Sequence, residues 1–525
     1  MTQPSHARLD KAVAALPQRY PGPGGAVAVL RDGKVLARHG WGWADVERRQ
    51  PFTPQTMALV CSITKQFTCA LLLDQFPDPT VLDDEVRRLL PGLRQNAPGI
   101  LDLCHNQSGL RDYWALAMLC GSAVEGRFGP ADARRLIGRA GSLQFMPGTR
   151  YSYANQNFRI LSDIIEARAG RPFADLLRTR ILDRAAMPTA ALNPETEHVI
   201  GGAIGYEGSL ADGFRPAVNR IHWTGDAGLA ASLDDMIAWE SFIDATRDEA
   251  GGLYNRLAAP QSFRDGAPAR YGFGLSHAPL LDCAATSHGG GLRGWRSFRF
   301  YAPAERISVV VLFNHMADPH EAALDLFGAL LDEPAPAALA ASSAGWEGRY
   351  EVAETGLAAR VQAIPEHKLQ LFYAPGPDTL APAAGSEFAG GEFAGGGARL
   401  YKSADEIWMD RPTDHLTARL LPCVGESRTD IEGVFHSDEL GADLTCTSAG
   451  GALYGAFSGE LGQGAMQSLL PFGPDVWLLP CARALDYTAP GDWTLKFRRD
   501  AGGKVVGVRV GCWLARGIEY ISVTA

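Results

Sequence analysis

Apolar and polar residues follow two different periods along this chain. Residues 24–43, GGAVAVLRDGKVLARHGWGW, alternate about Asp32-Gly33, which predicts a β-hairpin at the start of a sheet. A longer period follows. SITKQFTCALLLDQF (62–76), NFRILSDIIEARAG (157–170) and MIAWESFIDATRDE (236–249) carry helical patterns, and Gly170 stands where the second should stop. RISVVVLFNH (306–315) is a short unbroken apolar run and predicts a buried strand, with EAALDLFGALLDE (321–333) as a closing helix. A sheet covered by helices from both ends of the segment accounts for residues 1–333.

The pattern then changes. EPAPAALAASSAG (333–345) is Pro/Ala/Ser-rich and reads as a linker over 334–345. Beyond it come short alternating segments broken by Gly and Pro, a β-rich signature. EGRYEVAETGLAARV at Glu347 and EGVFHSDELGADLTC at Glu432 align at a spacing of 85 residues, which predicts two related β modules, 346–425 and 426–525. SEFAGGEFAGGG (386–397) is low in complexity and reads as a mobile loop.

Composition narrows the class. The 525 residues are 46% hydrophobic and 21% charged, as in a globular chain of about three domains. The net charge of −10 and the lack of a basic run argue against nucleic-acid or membrane-surface partners. The N-terminus lacks the basic start and apolar core of a secretory signal, and no stretch of about 18 apolar residues exists to span a bilayer. Nine cysteines, with no Cys-x-x-Cys pair, suggest reduced thiols and a cytoplasmic location.

Candidate chemistry begins at Ser62 and Lys65 in CSITKQF. Scattering the chain's seven lysines and 25 serines at random gives such a pair roughly one time in three, so spacing alone is weak. Context adds weight. Of 49 basic residues only seven are lysine, and a desolvated lysine can give up its proton where arginine cannot. A solvated helix with an incidental lysine explains the pair equally well. Tyr153-Ala154-Asn155 could supply a phenol and an amide, or simply a packed tyrosine with its hydroxyl satisfied. His288-Gly289-Gly290-Gly291 lets backbone approach a ligand closely, or is a flexible turn. No zinc spacing exists: HEAALD lacks a second histidine one helical turn on. No cofactor motif stands out.

Taken together and in order, Ser62-x-x-Lys65, Tyr153-x-Asn155 and His288-x-Gly290 resemble the three motifs of the penicillin-recognising serine hydrolases. CHNQSGLRDY, GYEG, GDAGLAASLDDMIAWE, YGFGL, HGGGLRGWR, DVWLLP and GCWLARGIEY extend the likeness, over nearly the whole chain, to the D-stereospecific aminopeptidase family. The resemblance implies a multidomain α+β protein: a β-lactamase-like catalytic domain followed by two antiparallel β-barrels, working as a homodimer without a metal. It implies release of N-terminal D-amino acids, D-alanine above all, from small peptides, amides and esters. Ser62 would be the nucleophile, with Lys65 and Tyr153 moving its proton. The Ser62 and Gly291 N–H groups would form the oxyanion hole, and Asn155 and Gly290 would line the substrate. A loop of the last barrel, near 480–493, would reach the cleft.

His288 stands where many relatives carry lysine. A neutral histidine weakens recognition of a substrate carboxylate. An aminopeptidase instead needs an anion for the substrate ammonium, and the 480–493 loop offers Asp486, flanked by Leu485 and Tyr487; a solvated loop carboxylate is the plainer reading. A β-lactamase-like esterase, a D-Ala-D-Ala carboxypeptidase and a non-catalytic peptidoglycan-fragment-binding module are the competing functions.

Overall fold

The computed structural model describes residues 3–93, 97–331, 345–383, 391–486 and 490–523. The linker expected at 334–345 lies outside these residues up to 344, as do Tyr487 and residues 386–390.

Gly24–Arg31 pairs antiparallel with Lys34–Asp45 through a turn in which Asp32 (φ 54°) and Gly33 (φ 69°) are both left-handed. Two left-handed central residues give the turn whose twist matches a hairpin. The other edge of Gly24–Arg31 carries Ile307–Phe313, then Trp295–Ala302, then Thr286–Leu292, in a sheet of eight strands. Alternate residues face opposite ways. Val27 and Val29 join one apolar cluster with Val309, Val311 and Phe327; Ala26, Ala28 and Leu30 join another with Phe67 and Trp239. Burial on both faces explains why 306–315 shows no polar alternation.

Pro319–Gly328 and Gln3–Arg19 cover one face, and Leu233–Thr246 covers the other. The N-terminal helix has no counterpart among the expected elements. Its apolar stripe is Leu9, Ala12, Val13 and Leu16, the i, i+3, i+4, i+7 pattern, but Pro17 and the PGPGG that follows obscure it. Leu233–Thr246 starts at a capping box, with Asp235 N–H donating to Ser232 Oγ (3.1 Å) and Ser232 N–H to Asp235 Oδ2 (2.9 Å). This helix carries Glu240, which holds the wholly buried Arg299 of the sheet at 2.6 and 2.7 Å.

Both expected β modules are present. Eight strands from Gly348–Val352 to Leu416–Pro422 close into a barrel around Val352, Leu371, Phe393 and Leu420. The low-complexity segment is corrected here: Glu392–Gly395 is a barrel strand, paired with Ala398–Ser403, because Phe393 drops into the barrel core. The second module, from Gly433–Ser437 to Ala515–Ser522, is a ten-stranded antiparallel sheet that stays open as a half-barrel. Its apolar face merges with the core of residues 1–333: Phe435, Phe457 and Tyr520 belong to the same cluster as Phe67 and Trp114. The contact is backbone-close. A Cβ on Gly121 (φ 81°) would lie 2.1 Å from the Gly462 carbonyl.

Candidate active site

Ser62 sits in the one-turn 3-10 segment Cys61–Ile63 that leads into the helix Thr64–Gln75. Cys61 has φ 50°, an uncommon value for a residue with a side chain. That sharp turn lifts Ser62 to the surface of the cleft while Cys61 stays buried. Strain of this kind is tolerated where the surroundings hold it. Here Ser297 Oγ donates to the Val60 carbonyl at 2.8 Å.

One helical turn on, Lys65 is fully buried. Its Nζ reaches Ser62 Oγ (3.0 Å), Asn155 Oδ1 (2.9 Å) and the Asp226 carbonyl (2.6 Å). Burial lowers its pKa from 10.5 to about 8, with Asp226 and Asp112 pulling the other way. Tyr153 stands beside both Ser62 and Lys65. Burial pushes its phenol well above the ordinary value, against a hydrogen bond with Ser62. Lys65 Nζ lies 4.8 Å from the Tyr153 ring centre.

Asn155 opens the helix Asn155–Ala169 and links two charged groups. Its Oδ1 accepts from Lys65, and its Nδ2 and backbone N–H donate to Asp112 Oδ2 at 2.8 and 2.7 Å. His288 lies in the strand Thr286–Leu292. Its Nδ1 faces the Gly289 carbonyl at 2.5 Å, and its Nε2 accepts from the Tyr271 hydroxyl at 3.0 Å. Burial, with Lys65 and Arg299 nearby, lowers its pKa to about 3, so it is neutral.

The same strand supplies the wall beside Ser62. Residues 286–292 pair with 295–301 along one edge, while among the described residues the other edge pairs only at Ser287. The open edge runs against the Ser62 turn. A Cβ on Gly290 would lie 2.2 Å from the Val60 carbonyl and 3.1 Å from Cys61 Cβ, so glycine is required for this approach.

Asp486 comes from the half-barrel. Its backbone carbonyl accepts from Arg293 N–H at 2.8 Å, Leu485 beside it is buried in the shared core, and Arg483 grips Glu207 at 2.7 and 3.0 Å. Burial raises the Asp486 carboxyl to about pH 8, helped by Asp112 and opposed by Lys65 and Arg293.

Ser62, Tyr153, Asn155, His288, Gly290, Gly291 and Asp486 line one cleft of ≈ 390 Å³, with Lys65 beneath it. Three contributors escaped the sequence reading. Asp112 anchors Asn155 and accepts from Trp114 and Ala115 N–H (3.0 and 3.1 Å) at the start of the next helix. Asp226 is set by Tyr113 Oη (2.5 Å) and Thr224 N–H (2.8 Å), which aim its carbonyl at Lys65. Tyr271 orients His288. Asp112 and Asp226 do lie inside stretches quoted for their likeness, but no local spacing ties them to Ser62.

The family profile described as Beta-lactamase matches residues 9–332, which sets the class as that of the β-lactamase-type serine hydrolases. A second, D-aminopeptidase, domain B, matches residues 339–521. A D-aminopeptidase of Gluconobacter oxydans is 52% identical over 99% of this chain and 99% of its own. One of Brucella canis is 48% identical over 98% of each. Among solved structures, the octameric penicillin-binding protein homologue of Pyrococcus abyssi is 21% identical, with a TM-score of 0.54 over 79% of this chain and 99% of its own, a likeness of fold. The chain belongs to the D-aminopeptidase family.

Proposed function

We propose that this enzyme removes N-terminal D-amino acids, D-alanine best, from small peptides, amides and esters, through an acyl-enzyme on Ser62. One observation carries the reading: a serine and a buried, pKa-depressed lysine at 3.0 Å share a cleft with a carboxyl from the half-barrel. Ser62 Oγ attacks the substrate carbonyl carbon, and its proton passes to Lys65 Nζ. The tetrahedral oxyanion accepts from the Ser62 and Gly291 N–H groups. Tyr153 protonates the departing amine and takes the Ser62 proton over from Lys65, and the C–N bond breaks. Water then attacks the ester, the same groups return its proton to Ser62, and the D-amino acid leaves. Asn155 keeps Lys65 in place and offers its second amide hydrogen to the substrate.

Asp486 receives the substrate ammonium. Its raised pKa means that binding the cation draws the carboxyl into its charged form, since an unpaired ammonium in such a cleft costs several kcal/mol. With the carbonyl in the oxyanion hole and the amine on Asp486, the side chain and hydrogen on Cα exchange places between enantiomers. The 480–493 loop thus acts as the chiral wall. We assign residues 1–333 to catalysis, 346–425 to the barrel and 426–525 to the specificity module. We also propose a cytoplasmic homodimer, a location supported by nine cysteines that form no disulfide among the described residues.

Rapid-quench mass spectrometry with D-Ala-p-nitroanilide tests the central chemistry. The expected result is an alanyl adduct on the peptide containing Ser62, absent in Ser62→Ala and absent with the L enantiomer. An adduct elsewhere, or equal labelling by both enantiomers, overturns the reading.

A further inference from the structure

A second cavity does not contain Ser62. It is a space of ≈ 840 Å³ where the catalytic sheet, the barrel and the half-barrel meet, and Arg296 lines both it and the catalytic cleft. Arg296 lies directly opposite Gly291 in the sheet, so one residue of the strand next to 286–292 borders both spaces.

Its charge is lopsided. Five guanidinium groups, those of Arg215, Arg296, Arg349, Arg360 and Arg483, face two carboxylates, Glu207 and Asp492. Glu207 lies opposite Arg215 across a hairpin but gives both oxygens to Arg483. Arg349 and Arg360 sit directly opposite each other on neighbouring barrel strands, a like-charge pair that costs stability. Arg349 donates to the Pro471 carbonyl at 3.3 Å, and Arg360 stacks on Phe372 at 4.2 Å. Among the described residues, Arg215, Arg349 and Arg360 have no carboxylate partner. In a chain of net charge −10, whose arginines are widely ion-paired, three such groups around one cavity call for an anionic occupant.

Chain polarity says which anion. An enzyme that releases one N-terminal residue holds only that residue on the acyl side. Everything beyond the scissile bond is leaving group, and an unmodified peptide ends in a carboxylate. We propose that the arginine-lined cavity is a leaving-group subsite that binds the C-terminal carboxylate of short D-aminoacyl peptides. The proposal rests on the aminopeptidase reading and adds its preferred substrate class: free peptide acids over the corresponding amides.

The test compares kcat/KM for D-Ala-Gly-Gly and D-Ala-Gly-Gly-Gly with their C-terminal amides. Arg215, Arg349 and Arg360 are solvent-exposed, so wild type should favour each acid by about two- to fivefold, the scale of exposed carboxylate–guanidinium pairs. The acid-to-amide ratio should fall toward 1 in Arg349→Gln/Arg360→Gln and in Arg215→Gln. It should also fall in about 1 M salt, where screening acts within about 3 Å. Because both substrates are read on one preparation, partial loss of folded enzyme cancels. A wild-type ratio near 1 at both lengths, with both peptides cleaved, overturns the subsite alone, as does a preference that survives all three arginine changes. Cleavage of neither the acids nor the amides overturns the aminopeptidase reading together with it.

Discussion

Lys65 Nζ has three acceptors, Ser62 Oγ, Asn155 Oδ1 and the Asp226 carbonyl, and an ammonium has three N–H bonds to give them. A neutral amine keeps two of those bonds and turns its lone pair to Ser62. The pKa of about 8 brings that form within reach near neutral pH. The sign follows: the reactive form is lost as pH falls below about 8 and gained as pH rises through it. For an ester that carries no amine, acylation should therefore rise with an apparent pKa near 8. Lys65→Arg should lower kcat/KM by about 10²–10⁴ and remove the rise, because arginine cannot take the proton. A Lys65→Arg enzyme that kept the rise would assign the proton transfer to another group. The residues legible from sequence were those in short motifs: Ser62 and Lys65 share one helical turn, and Tyr153 and Asn155 share a tripeptide. Asp226 acts on Lys65 from 161 residues away and Asp112 on Asn155 from 43, so only the fold brings them together.

At the scale of elements, the Ser62 turn and the 286–292 strand are held at van der Waals distance by the absence of a side chain. Gly290→Ala should cost about 1–3 kcal/mol through overpacking against the Val60 carbonyl and should slow acylation. At Gly289 the nearest atom to an added Cβ is Phe298 at 3.5 Å, an ordinary contact, so Gly289→Ala should melt near wild type. Equal melting temperatures for the two variants would contradict the close approach. Deeper in the sheet, Glu240 binds both Arg299 and the Ser308 hydroxyl (2.8 Å). Glu240→Gln leaves a buried guanidinium without its anion and should cost about 3–5 kcal/mol, read as a lower urea midpoint. An unchanged midpoint would show that Arg299 finds another partner. The hairpin and the three internal helices were readable because each carries its own period, and the 306–315 strand because it is an unbroken apolar run. Glu392–Gly395 was not: its repeated Gly-rich setting hides the one anchor, Phe393, that makes it a strand.

For the whole molecule, the module to which we assign specificity shares its core with residues 1–333. Because the half-barrel's apolar face is closed by the catalytic core, its loop is held in register with Ser62, and Arg483–Glu207 fastens the loop further. Glu207→Gln should therefore raise KM for D-Ala-p-nitroanilide more than it lowers kcat; the opposite split would show that the ion pair serves only stability. The repeat and the change of composition revealed two β modules, but not that one would close alone and the other against the catalytic core. That depends on apolar surface matching across distant segments.

In the proposed mechanism, a carboxyl lent by the half-barrel reads the free amine of the acyl group. The most direct measurement compares kcat/KM for D-Ala-p-nitroanilide and its N-acetyl derivative in wild type and Asp486→Asn. Wild type should cleave the free amine far better. Asp486→Asn should lose most of that preference through a higher KM for the free amine, while turnover of a neutral ester changes little. Equal turnover of free and blocked anilides by wild type, or Asp486→Asn kinetics matching wild type, would contradict the claim.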